Sequence, residues 1–122
     1  MLQLKSFGSV KTIFIDRDKV ISALRAIAAR VCKLHPEVSS IRIFGSVARG
    51  DQVGTSDVDV LIVLSGGEKG DPLEWVRVFY PYFDLPIPVD LLVYNENQVS
   101  RRLDSKDPRF EQMWRESLPL CP

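Results

Sequence analysis

Val20, Ile21, Leu24, Ile27, Ala28 and Val31 recur at spacings of three and four, which puts them on one side of an amphipathic helix. That helix begins at Arg17, behind Asp16 as its cap, and is stopped by His35-Pro36. The period then changes. Ser40 to Phe44 (SIRIF) alternates over a length that suits a short strand ending at Gly45, and Val58 to Leu64 (VDVLIVL) is apolar on both faces, as a covered central strand must be. The glycine-rich stretch Ser65 to Asp71 predicts a loop. Pro72 suits the first turn of a helix through Leu73, Trp75, Val76, Val78 and Phe79, which Pro81 ends or kinks. Val89 to Tyr94 (VDLLVY) predicts a third strand, and Asn95 to Leu118 predicts one or two polar helices broken near Asp107-Pro108. Val10 to Ile15 can add an edge strand.

Helix, strand, strand, helix, strand, helix is an α/β (α+β) pattern: a small mixed β-sheet with helices packed on it. At 122 residues one domain, 1–122, is expected, with one core and no second lobe to grip a large substrate. Sixteen basic residues balance 16 acidic ones, so the chain lacks the cationic excess that drives binding to a nucleic-acid backbone, and long DNA or RNA is not expected. Neither a leader-like start nor a membrane-length apolar run is present, which leads to the expectation of a soluble cytoplasmic protein without a membrane partner. Cys32 and Cys121 match no zinc or redox spacing and are expected to be free thiols.

The tetrapeptide FGSV occurs twice, from Phe7 and from Phe44, and each copy is followed by an Asp-x-Asp. After the first copy, Asp16-Arg17-Asp18 opens a helix, so its aspartates have a structural use. The second copy differs. Gly45 and Ser46 end one strand, ten residues intervene, and Asp57 and Asp59 begin the next, so the two strands are expected to be antiparallel with the glycine turn and the carboxylates at one end. Residues i and i+2 of a strand share a face, so Asp57 and Asp59 project together while Val58 points into the opposite layer. Asp90 opens a later strand that a parallel crossover can bring to the same end. Adjacent carboxylates repel unless a cation lies between them, and hard oxygen donors without His or Cys suit Mg²⁺ or Mn²⁺. Three such aspartates can hold two divalent ions at about 4 Å separation. Glycine lets a polyphosphate approach the backbone, and N–H groups with the Ser46 hydroxyl can donate to it. Arg49 is either a contact to phosphate or acceptor or an exposed loop arginine.

These residues, GSVARGDQVGTSDVDVLIV with VDLLVY, resemble the minimal nucleotidyltransferases of the DNA polymerase beta superfamily over roughly Asp16 to Tyr94, with the helical tail from Asn95 outside the signature. The resemblance implies a polymerase-beta-like core, with Asp57, Asp59 and Asp90 binding two Mg²⁺ ions and carrying catalysis. Ser46 would hold the triphosphate, and Asp90 would help deprotonate an acceptor hydroxyl. It further implies NMP transfer, AMP from ATP, onto a partner protein or small molecule. Small members resemble antitoxins of HEPN-type toxins, which makes such a toxin the expected partner; a homo-oligomer is compatible. The competing reading is a non-catalytic protein that inactivates its partner by covering it. An aminoglycoside-type enzyme would need an added domain.

Other residues are expected to do less. His35 reads as a capping or surface residue rather than a base. Trp75, Phe79, Tyr80, Tyr82 and Phe83 read as core or partner surface in preference to a base-stacking platform. Arg101, Arg102, Lys106, Arg109 and Arg115 alternate with Asp104, Asp107, Glu111 and Glu116, as on a solvated helical face.

Overall fold

The structure is a computed structural model and describes residues 2–7, 10–15, 17–50, 57–66, 72–85 and 87–121. The chain runs β1 (Leu2–Phe7), β2 (Val10–Ile15), α1 (Arg17–Leu34), β3 (Val38–Phe44), α2 (Gly45–Arg49), β4 (Val58–Leu64), α3 (Pro72–Phe79), a 3₁₀ turn (Tyr80–Tyr82), β5 (Val89–Asn95), α4 (Glu96–Asp104), α5 (Pro108–Glu116) and β6 (Leu118–Cys121). Four strands form the main sheet in the order β5-β4-β3-β6. The β4–β5 pair is parallel, and β3 is antiparallel to both of its neighbours. This mixed α/β architecture is the expected one.

The apolar run of β4 follows from its central place. Val58, Val60, Ile62 and Leu64 enter a core with Val20, Leu24, Ala28 and Val31 of α1 and with Phe79 and Phe83, while Leu61 and Val63 enter a second core with Val99 of α4 and Phe110 of α5. Alternate side chains of one strand thus serve two helical layers, so neither face of β4 has room for a polar residue beyond its first turn. Asp59 is the exception, and it lies at the end of the strand where the second layer stops. Phe79 and Phe83 are core residues, as expected of the aromatic stretch, whereas Tyr80 is half exposed at 50%.

Three features depart from the expectations. Val10–Ile15 is a strand, but it pairs with β1 in an antiparallel hairpin of its own. Leu118–Cys121 is a fourth strand of the main sheet, beside β3. Its proline, lacking an N–H, is tolerated because an edge strand needs ladder bonds on one side only. Cys32 and Cys121 are not free thiols but form a disulfide. The helix that carries Cys32 packs on β6, and that contact joins residues 89 apart in sequence, a distance that leaves no spacing motif. The expected Asp16 cap, the first copy's Ser9 and most of the glycine-rich loop lie outside the described residues. Among the described residues no helix is long and apolar enough to cross a membrane.

Candidate active site

Strand β3 ends at Phe44, and the chain turns at once into the five-residue α2. Gly45 makes that turn with φ +76°, in the left-handed region that side chains with a Cβ avoid. At the other end Gly50, with φ +84°, closes α2 by donating its N–H to the Ser46 carbonyl at 2.9 Å. The last carbonyls of so short a helix need outside donors. Arg17 supplies them: its Nε donates to the Val47 carbonyl at 2.8 Å and its Nη2 to the Ala48 carbonyl at 3.0 Å. The first residue of α1 therefore fixes the position of α2, a role that its place at a helix start did not reveal.

The strand register then assembles the site. Phe44 pairs with Asp59 across β3–β4, and Asp59 pairs with Asp90 across β4–β5. Gly45 is so close to Asp59 that a Cβ built on it would run into Asp59 Oδ2, so the second copy of FGSV needs its glycine for space as well as for conformation. Asp59 is half-buried beside Asp90, its register partner. Burial first, then the charges of Asp90 and Asp57, raise its pKa to about 6, and the Arg49 guanidinium pulls the other way. Val58, between Asp57 and Asp59, is fully buried in the opposite layer, as alternation requires.

The structure thus brings Asp59, Asp90 and Gly45 together. Asp57 is exposed just before β4 and reaches Asp59 through its charge. Among the described residues no three His, Cys, Asp or Glu side chains stand as a ready metal-binding group. The donor set still fits a hard divalent cation: it is all carboxylate, and a cation would offset the burial and the neighbouring carboxylate charges that raise the pKa of Asp59. His35 serves elsewhere. Its Nδ1 lies 3.1 Å from Glu37 Oε1, its Nε2 lies 3.0 Å from the Tyr82 hydroxyl, and its ring meets Phe79 edge-on, so it locks the end of α1 to the aromatic stretch.

A cleft of about 360 Å³ opens over Asp59. Phe44, Gly45 and Arg49 form one wall, and Arg109, Gln112, Met113 and Glu116 of α5 form the other. Ser46, half-buried beside Gly45, is one residue from this lining. Arg49 Nη1 lies 3.6 Å from Glu116 Oε2, which joins the two walls. The helical tail, read from sequence as a solvated face, is therefore a wall of the site. The sequence shows the stripe Arg109, Gln112 and Glu116 beside the apolar stripe Phe110, Met113 and Trp114, as on a helix with one face on a sheet, but nothing in that pattern points to Asp59.

A family model described as a nucleotidyltransferase domain matches residues 24–121, which include Gly45, all three aspartates and α5. The fold is similar to that of a protein from Sulfolobus solfataricus assigned provisionally as a nucleotidyltransferase, with a TM-score of 0.59 and 27% identity over 70% of this chain and 75% of that one. A toxin–antitoxin solved with AMP-PNP aligns with 88% of this chain and 73% of its own at 22% identity, with a TM-score of 0.45. No curated protein matches the chain significantly. With a family match over most of its length, and with the glycine turn, Asp59 and Asp90 brought together at one end of the sheet, the chain belongs to the nucleotidyltransferase domain family.

Proposed function

We propose that the domain transfers an NMP, AMP from ATP, to a hydroxyl of a partner protein or small molecule, and that it serves as the antitoxin of a toxin–antitoxin pair. One observation carries the reading: Asp59 faces Gly45 on one side and Asp90 on the other, so phosphate-binding backbone and carboxylates meet at one end of one sheet. Asp57, Asp59 and Asp90 would hold Mg²⁺, two ions in the full site or Mn²⁺ in its place, and the chemistry supplied there is neutralisation of charge on the phosphate oxygens. The Ser46 hydroxyl and the N–H groups at the start of α2 donate to the triphosphate. Phe44, at the cap position of α2, has no side-chain acceptor to compete for those donors. Asp90, exposed on β5, takes the proton of the acceptor hydroxyl. The acceptor oxygen attacks the α-phosphorus, the bond from that phosphorus to its bridging oxygen breaks, and pyrophosphate leaves. The resemblance to small antitoxin-like members makes a HEPN-type toxin the acceptor of choice, and ATP as donor sets the reaction in the cytoplasm.

The test uses ATP labelled at the α- or the γ-phosphorus, incubated with the chain, Mg²⁺ and the protein that co-purifies with it from its native host. Label is expected on the partner from the α position only. Transfer from the γ position alone would mean phosphoryl transfer from ATP with ADP leaving, and would sink the proposal. A second reading, neutralisation by covering the partner, is favoured by the lack of a ready three-carboxylate group among the described residues. It wins if no label transfers and an Asp90→Ala variant still neutralises the partner.

A further inference from the structure

The wall formed by α5 lies outside the Gly-Ser and aspartate signature, yet it faces the same carboxylate. Arg109, Gln112 and Glu116 stand at i, i+3 and i+7 of one helix and so form one stripe along the cleft. The helix that presents them is held at both ends. Asp107 caps its start by accepting from the Arg109 N–H at 3.0 Å, and the Arg42 Nε donates at 2.6 Å to the hydroxyl of Ser117, which donates in turn to the Trp114 carbonyl at 2.6 Å. Phe110, Met113 and Trp114 pack with Leu61 and Val63 of β4. The cleft side chains therefore stand on a fixed element, as groups that must aim at a ligand should.

The charges lining the cleft balance in number. Arg49 and Arg109 oppose Asp59 and Glu116, with Glu116 Oε2 3.6 Å from Arg49 Nη1 and Glu116 Oε1 accepting from the Gln112 Nε2 at 3.0 Å. A triphosphate brings several negative charges into this balance, beside a carboxylate, and needs cations on its flank. Guanidinium is the group best shaped to bind phosphate through two donors at once. The Arg49 and Glu116 side chains are 42% and 32% exposed, so their pairing is screened and cheap to exchange for a phosphate, and Glu116 can turn to solvent.

We infer that Arg109 is a second phosphate-binding arginine of the cleft, engaging the phosphates beyond the α position, and that Glu116 occupies Arg49 until the phosphate chain takes its place. The inference rests on the nucleotidyl-transfer reading and adds to it a role for the C-terminal helix. It also separates two effects of α5. Arg109 attracts the nucleotide, whereas Glu116 sets a threshold that only a strongly anionic ligand overcomes.

Equilibrium binding of ATP and of AMP, each with Mg²⁺, tests the assignment on the full chain. Arg109→Ala is expected to weaken ATP binding by about tenfold while leaving AMP within about twofold, and Arg109→Lys is expected to recover part of the loss. Glu116→Gln is expected to tighten ATP severalfold. Arg109 is exposed and carries none of the helix's apolar packing, so the variant keeps its fold, which a matched melting temperature verifies. An unchanged ratio of ATP to AMP affinity in Arg109→Ala, with the wild type binding ATP, overturns the inference alone. Failure of the wild type to bind ATP at all brings down the nucleotidyl-transfer reading and the inference with it.

Discussion

Asp59 and Asp90 are register partners in the parallel pairing of β4 and β5, and the charge of Asp90 acts directly on the half-buried Asp59. Burial and the neighbouring charge make the ionised form of Asp59 costly, at a place where a cation would offset that cost.

A pH dependence of stability follows. Asp59 rises from 3.8 to about 6 on folding, first through burial and then through Asp90 and Asp57. Between about pH 4 and 6 the folded chain binds more protons than the unfolded one, so stability falls as pH rises through that window, and the cost is complete above it. Asp59→Asn is therefore expected to stabilise the metal-free protein at pH 7.5 by about 1 kcal/mol, a figure reduced for the partial exposure of the group. The gain should shrink towards zero at pH 4. Denaturant titrations at both pH values check this, and an equal gain at each would show that the cost is not electrostatic.

Gly45→Ala is expected to damage activity far more than stability. The left-handed backbone conformation costs a residue with a Cβ about 1–2 kcal/mol, which a domain of this size can survive. The same Cβ would displace Asp59 Oδ2, the atom at the centre of the site. AMP transfer measured well below the melting temperature should fall by at least about 100-fold. Retention of more than a tenth of the activity would show that Asp59 has room to move.

Arg17→Ala removes both donors to the Val47 and Ala48 carbonyls and so loosens α2 without touching the cleft lining. A loss of about 1–3 kcal/mol in stability is expected, with KM for ATP raised by about tenfold and kcat changed less. Arg17→Lys, which can restore one of the bonds, should fall between. A pure stability loss with unchanged KM would mean that α2 holds its position unaided.

Reduction of the Cys32–Cys121 disulfide, or Cys32→Ser, is expected to lower stability by about 2–4 kcal/mol, since the cross-link closes a long loop of the unfolded chain. Urea midpoints with and without reductant measure it. The variant should be insensitive to reductant, and the native protein should yield no titratable thiol until it is reduced.

How much of this was legible beforehand depends on the range of the interaction. The helix from Arg17, the strand VDVLIVL and the helix at Pro72 rest on local periodicity and punctuation, and they stand as read. The meeting of Gly45, Asp59 and Asp90 was legible because strand alternation and a parallel crossover constrain where residues far apart in sequence can lie. The fourth strand was not: four residues with a proline carry no alternation to detect, and only pairing with β3 makes LPLC a strand. The stripe Arg109, Gln112 and Glu116 looks the same whether it faces water or a cleft, so its position could be learned only from the packing of Phe110 on β4. Alternation predicts that Asp57 shares a face with Asp59, but Asp57 stands exposed just before β4 begins at Val58, where strand alternation no longer governs a side chain.

Strand β5 is the outermost strand of its sheet, with β4 as its one partner among the described residues. Its sequence VDLLVYN contains neither lysine nor proline, and Leu92 is 39% exposed, so Asp90 is the single charge along seven residues of pairing-competent backbone. Charge on such an edge keeps it from recruiting strands of other molecules. The carboxylate proposed to receive the acceptor's proton thus also guards solubility, and the usual inactivating change, Asp90→Ala, removes both at once. A loss of function in that variant is attributable to chemistry only when sedimentation shows it monodisperse, and a double variant that returns a charge at Leu92, Leu92→Lys with Asp90→Ala, should restore solubility while leaving transfer absent.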